Sequence, residues 1–537
     1  MAGPVLLGAL CGVLSAQTPP VPASVSGVVT NSVTGEPVLR AHVAVRGMGS
    51  PSPDTPPQSY GALTNQEGKF TIAPLPAGRY VVSVERVGFV MPINSNSQGR
   101  LADITLAAGD KKEDLKLTLT PTGAIVGRVL DSAGEPVPSA MVQVEGNNDN
   151  QNVSTDEQGR YRAGGLRPGK YRVHATPPGS PFPAEIRTDG TEIVHYSATY
   201  YPESLDRASA RRVEVGAAAD VNGVDIRLIR TAVLSVTGKV DGMPGGKARA
   251  NLMVMREGEQ GASSANAMVK QDGSFKISPI DPGKYTITAL VYGPSPQHNL
   301  QSPPVEIEVA GANVEHIELR LIPPFDVSGQ VRFDDEAART PPQRPAQPGQ
   351  AASTRQQMPP RQINLQPGAG FMGNGGLSAA IGADDSFTLE SVVPGRYHVS
   401  LSWGPAYVSA VRVGETVTEG DVLDVRNGPA GAVTLTVSSA TCQISGTVND
   451  SSGPVANAHV ILVPQAGEVM FTRSTSAKPD GTYTFTGLRP GKYQLAAVDE
   501  GFYPNGRSDN ALEDYEDVAA RIELRAGDKL TQDLKRK

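Results

Sequence analysis

Glu157-Gln158-Gly159-Arg160-Tyr161 and, with its tyrosine ten residues after Tyr161, Pro168-Gly169-Lys170-Tyr171 decide how this chain folds. The first is a polar turn whose glycine can take positive φ, followed by an aromatic directed into a core. In the second, Pro presets φ for a turn, Gly completes it, the basic residue points to solvent and Tyr re-enters the core. The short strand between the two turns therefore belongs to a hairpin. The pair recurs at the same ten-residue interval as Gln66-Glu67-Gly68-Lys69-Phe70 with Pro76-Ala77-Gly78-Arg79-Tyr80, and as Gln271-Asp272-Gly273-Ser274-Phe275 with Pro282-Gly283-Lys284-Tyr285. It appears again as Asp384-Asp385-Ser386-Phe387 with Pro394-Gly395-Arg396-Tyr397, and as Pro479-Asp480-Gly481-Thr482-Tyr483 with Pro490-Gly491-Lys492-Tyr493. Asp385 stands where the other copies have Gly, and Asp tolerates the left-handed region better than most residues. Self-similarity on this scale sets the architecture before any single motif does.

Upstream of each pair lies an alternating stretch built on Gly-x-Val or its like: Val25–Val29, Ile125–Val129, Val236–Val240, Val327–Val331 and Ile444–Val448. Downstream lies another, at Leu115–Leu119, Val224–Leu228, Ile317–Leu321, Val433–Val437 and Asp533-Leu534-Lys535. Apolar residues at every second position suit a strand with one buried face. About seven short strands per copy is what a β-sandwich needs.

The order Gly-x-Val, then Asp-x-x-Gly-x-Tyr or Phe, then Leu-x-Pro-Gly-x-Tyr resembles the carboxypeptidase regulatory-like domain. The second and fifth copies resemble it best, with Asp131-Ser132-Ala133-Gly134-Glu135-Pro136-Val137 and Asp450-Ser451-Ser452-Gly453-Pro454-Val455 supplying the turn after the first strand; the third and fourth are looser. The resemblance implies transthyretin-like or prealbumin-like sandwiches, grouped with carbohydrate-binding-like folds. The expected fold class is thus all-β: five tandem β-sandwich modules of prealbumin-like or Ig-like Greek-key type, in an extended or curved array. The expected boundaries are a signal peptide over 1–16 and modules over 23–120, 121–231, 232–322, 323–440 and 441–537. A Pro-, Gln- and Ala-rich insert at 340–361 is expected to be disordered, and Ser50–Ser59 reads as a shorter loop of the same kind. Joints such as Thr120-Pro121-Thr122-Gly123 and Pro323-Pro324 are short, which predicts semi-rigid connections.

Composition agrees. The chain has 537 residues, more than one compact core holds. Its 58 Gly and 45 Pro disfavour helices and suit short strands joined by tight turns. With a net charge of -7 and no basic run, nucleic acid is excluded as a partner class. The apolar run Val5–Leu14, ending Leu14-Ser15-Ala16 before Gln17, reads as an abbreviated export signal without a positive leader; an apolar tail is the competing reading. It is too short to span a membrane, and no later stretch is long enough. The expected location is therefore periplasmic, outer-surface or extracellular. Of two cysteines, Cys11 falls in that signal, so Cys442 is read as a small apolar strand residue rather than half of a disulfide.

The residues show little chemistry. None of the seven histidines begins His-x-x-Glu or pairs at helical ligand spacing, so no zinc site is expected. Gly164–Lys170 spells a phosphate-loop pattern, but Tyr171 stands where Ser or Thr must follow. No Gly-x-Ser-x-Gly elbow occurs. No catalytic residue, metal ligand or cofactor is therefore named. Aromatics beside Gly or Pro after the Pro-Gly-x-Tyr strand form the one constellation suited to binding: Tyr292, Trp403, Tyr503 and, later in its copy, Tyr201. A flat ring on a loop can stack on a sugar; the same ring can plug the end of its own sandwich. The expected function is a non-catalytic secreted or cell-envelope scaffold, with polysaccharide or a cell-envelope protein as partner. The alternatives are an accessory subunit of an outer-membrane assembly and a hydrolase with its site at a module junction.

Overall fold

The computed structural model describes residues 21–48, 58–91, 102–146, 150–178, 194–244, 249–257, 267–293, 299–339, 361–368, 376–428, 431–465, 472–498, 512 and 515–536. The expected signal peptide 1–16, residues 340–360 of the expected insert, most of the Ser50–Ser59 loop and Tyr503 lie outside them. The chain divides into two compact units, Met1–Gly123 and Ala124–Lys537. Among the described residues the first holds one pair of sheets around one core, and the second holds four such pairs, each around its own core.

In each pair one sheet is organised by the Gly-x-Val strand. These strands are Ala23–Asn31, Gly123–Leu130, Leu234–Asp241, Phe325–Phe333 and Cys442–Asp450. On one side each pairs with the strand that opens on the first turn's aromatic, as at Gly27↔Phe70, Gly238↔Phe275 and Gly446↔Tyr483. On the other side each runs parallel to the closing strand, as at Gly27↔Leu115, Ala124↔Asp220, Gly238↔Ile317, Gly329↔Val433 and Gln443↔Lys529. First and last strands thus point the same way in all five sandwiches, so the chain enters at one end and leaves at the other.

The close packing of these strands explains the glycine. A Cβ on Gly27, Gly127, Gly238, Gly329 or Gly446 would lie 2.1, 1.9, 2.1, 2.2 or 1.8 Å from a carbonyl oxygen of the closing strand. No other residue fits there without moving backbone. The first-turn glycines Gly68, Gly159, Gly273 and Gly481 have φ of +69°, +67°, +82° and +79°. Asp385 has +63° and serves the turn equally well, its carbonyl accepting from Val331 N–H at 2.8 Å. Its carboxylate is used as well, pairing with Arg339 at 2.9 Å and Arg361 at 3.4 Å, one on each side of the stretch 340–360.

The second sheet carries the Pro-Gly-x-Tyr strand, as in His42–Gly47 between Ser59–Leu63 and Gly78–Glu85. All five tyrosines are buried: Tyr80, Tyr171, Tyr285, Tyr397 and Tyr493. Each hydroxyl donates to the carbonyl four residues earlier, those of Pro76, Arg167, Asp281, Val393 and Arg489, at 2.7 to 2.9 Å. The tyrosine therefore fills the core and ties down the turn that precedes it, a second role that Phe cannot supply.

One expected strand is shorter than its sequence suggests. Val224–Leu228 yields only Ile226–Arg227 as strand, after Asp220–Val221 and a break. There the Asp225 side chain replaces a backbone acceptor, taking the Arg128 N–H at 2.9 Å. Asp533 does the same for Thr447 N–H at 2.8 Å. In these two copies the first aromatic is tyrosine, and the Tyr161 and Tyr483 hydroxyls donate to Val224 O and Gln532 O, the carbonyls that face Gly127 and Gly446.

Candidate functional site

The four loop aromatics do not form a common platform. Trp403 is buried, 6 % exposed, and its indole N–H donates to Ala338 O at 3.0 Å. It lies 6.4 Å from the Phe333 ring, over which the Arg339 and Arg361 guanidinium groups sit at 5.9 and 5.8 Å. This corrects the expectation of an exposed stacking ring: a large apolar ring with one N–H is better placed where the body is covered and the N–H is paired, and here it closes the end of the fourth core. Tyr201 is half-buried against the second core beneath Arg211, 5.9 Å away. Tyr292 is 67 % exposed. Tyr503 lies outside the described residues.

Polar side chains converge instead where one sandwich of the second unit meets the next. Asp281, in the turn before Pro282-Gly283, accepts a hydrogen bond from Ser197 Oγ at 2.5 Å, and its Oδ1 lies 3.1 Å from His195 Nε2. Ser197 Oγ also meets Thr231 Oγ1 at 2.6 Å, and Arg256 reaches Leu205 O at 3.1 Å and Pro282 O at 2.7 Å. Between the fourth and fifth sandwiches, Asp421 pairs with Arg489 and lies 3.3 Å from His398 Nδ1. Burial, the largest influence on Asp281 and Asp421, works to raise both carboxyl pKa values. The hydrogen bonds from His195 and Ser197, and from His398 with the Arg489 charge, outweigh it and hold both below the usual carboxylate range.

In the sequence these residues read as ordinary turn and loop positions, because their partners lie 84, 86 and 68 residues away. The first cluster contains a serine, a histidine and an aspartate, the constituents of a nucleophilic triad. Their order is different. Serine and imidazole both address the carboxylate, so the hydroxyl does not donate to a base, and Ser197 is 1 % exposed. The arrangement holds two sheets together. Among the described residues no group of three His, Cys, Asp or Glu side chains is placed to hold a metal ion. Cys442 is buried, its Sγ 3.0 Å from Arg525 O, and burial pushes its thiol pKa up, which suits a packing role rather than a nucleophile.

Fold and site together define a tandem β-sandwich protein with buried polar clusters at the seams between its sandwiches. The model of the carboxypeptidase regulatory-like domain matches residues 24–120, 124–186 and 443–533. The third and fourth copies, the looser ones by motif, lie outside the matched segments. Among solved structures the chain is similar to the Bacillus anthracis TIE protein, at 13% identity over 93% of this chain and 68% of that one, with a TM-score of 0.15. It is similar also to GBS52, the minor pilin of Streptococcus agalactiae, at 14% identity over 38% of this chain and 95% of that one, TM-score 0.21. A third is the shaft pilin SpaA from Lactobacillus rhamnosus GG, at 12% identity over 39% and 97%, TM-score 0.19. Comparison with curated proteins gave no match. Among the described residues no helix is long and apolar enough to cross a membrane.

Proposed function

We propose that the chain is a non-catalytic, exported scaffold of five sandwich modules, 23–120, 121–231, 232–322, 323–440 and 441–537, that spaces its attachments and carries tension between them. The observation that carries this reading is the parallel pairing of first and last strands in every sandwich. Tension applied through the chain then slides those two strands past each other. The evenly spaced bonds of a parallel ladder are loaded together rather than one after another. A pulling experiment on the full chain held by its ends tests it. Five unfolding events are expected, each releasing roughly 300 Å of chain for about 100 residues. Smooth extension without discrete events would overturn the reading.

Polysaccharide binding is a second reading, through Tyr292, the one exposed aromatic among the described residues. A cell-wall glycan panel probed with the wild type and Tyr292→Ala decides it: a hit lost in the variant supports sugar stacking, and a blank panel or an unchanged hit removes it.

A further inference from the structure

The two seams use the same position of the repeat. Asp281 and Arg489 each immediately precede the Pro-Gly and lie four residues before the core tyrosine. In both, that tyrosine holds the residue's own carbonyl, Tyr285 to Asp281 O at 2.8 Å and Tyr493 to Arg489 O at 2.9 Å. The backbone of the position is thus fixed by its own core while its side chain reaches into the preceding sandwich. Both side chains are received on the segment that follows the preceding sandwich's Pro-Gly-x-Tyr strand, at His195 and Ser197 in one case and Asp421 in the other. The contact is close at both seams. Arg256 bridges to Leu205 O beside Asp281, and a Cβ on Gly487, two residues before Arg489, would lie 3.6 Å from Pro405 Cβ.

The charges are opposite. An arginine at the first seam would face His195 and Arg256, and an aspartate at the second would face Asp421, whose side chain is 6 % exposed. Like charges brought together in a desolvated contact are strongly disfavoured, which is how interfaces reject wrong partners. The corresponding positions of the other copies hold Pro76, Arg167 and Val393, so residue type varies here while the turn around it stays constant.

We propose that this position is the coupling residue by which the third and fifth sandwiches dock on their predecessors, and that its sign makes the two seams non-interchangeable. The inference rests on the division into modules given above. It is tested on the full chain by hydrogen exchange of Arg489→Asp, Asp421→Arg, the two together, and Arg489→Gln. Each single change is expected to speed exchange of the amides at 406–407 and 486–489 about tenfold or more, with the Gly491–Val498 and Val433–Ser438 strands still protected. The double reversal restores the seam to within about threefold of wild type, since it recreates the pair with its signs exchanged. Unchanged seam exchange in the single variants, or a double variant no better than the singles, overturns the coupling role while leaving the modules intact. Loss of protection in both cores at once in Arg489→Gln overturns the modular division itself.

Discussion

Replacing Gly329 with alanine puts the central geometry of one sandwich under a defined strain. The new Cβ would meet Val433 O at 2.2 Å and Phe387 Cζ at 2.6 Å, against the 3.0 Å below which real Cβ atoms are not found, a shortfall of 0.8 Å at the carbonyl. Neither neighbour yields easily. Val433 is in the ladder with Gly329, and Phe387 is 4 % exposed inside the fourth core. Overpacking of this kind costs about 1–3 kcal/mol, and parting the strands weakens one or two ladder bonds at about 1 kcal/mol each. The sum, about 2–5 kcal/mol, is a large share of the roughly 5–15 kcal/mol that holds a domain folded. The chain supplies its own reporter, since Trp403 is the sole tryptophan and is buried at the end of this core. In urea, with a slope of about 1.5 kcal/mol/M, the Trp403 fluorescence transition should fall by roughly 1–3 M. Gly446→Ala, which strains the fifth core, should leave that transition in place. A midpoint for Gly329→Ala within about 0.3 M of wild type, outside the error of such a fit, would refute the argument that the carbonyl's approach requires glycine.

Tyr285→Phe removes only the hydroxyl that donates to Asp281 O; a loss of about 1 kcal/mol is expected in thermal unfolding followed at the third core, because the acceptor is left unpaired at a part-buried site. Trp403→Ala should lower the stability of the fourth sandwich by about 3–5 kcal/mol and free Ala338 O, read by circular dichroism as an earlier unfolding step. The pH dependence follows from Asp281 and Asp421, both held below the ordinary carboxylate value of about 3.9. Their contribution is fully present above that value and is lost as pH falls through the lower folded-state values, so seam protection in hydrogen exchange should be flat from neutral pH to about pH 5 and fail only in stronger acid. Asp421→Asn should remove that acid step at the fourth–fifth seam.

Much of the fold was legible because it rests on local chemistry. The five Gly-x-Val strands, the aromatic after each polar turn, and the left-handed residue of that turn follow from spacing alone, Asp385 included. The tyrosine tether is legible too: the Pro-Gly-x-Tyr turn holds Tyr in all five copies, whereas the polar turn before it is followed by Phe in three and Tyr in two. A residue that never gives way to Phe is one whose hydroxyl is used. The fate of Trp403 was not legible. A tryptophan before Gly-Pro reads alike as platform or plug, and what decides is a carbonyl 65 residues upstream, on the far side of the 340–360 stretch. The seams were hidden for the same reason: Asp281 and Arg489 look like ordinary turn residues until the preceding sandwich is in place. The break at 222–225 is a third case, because an aspartate in an alternating stretch resembles any outward-facing strand residue until its side chain is seen to accept from Arg128.

The account depends most on force passing through parallel first and last strands, and the fourth sandwich allows that to be measured directly. Its first sheet runs from Ser386–Val392 through Phe325–Phe333, Val433–Ser438 and Tyr407–Val413 to Thr416–Glu419. Handles at the exposed Asp326 and the half-buried Ser439 would not by themselves test direction, so the comparison is between pulling along the chain and pulling across the sheet, from Glu390 to Glu419 on its two edge strands. The account predicts a several-fold higher unfolding force along the chain, where the ladder shears, than across the sheet, where its bonds open in succession. Equal forces in the two directions would contradict it.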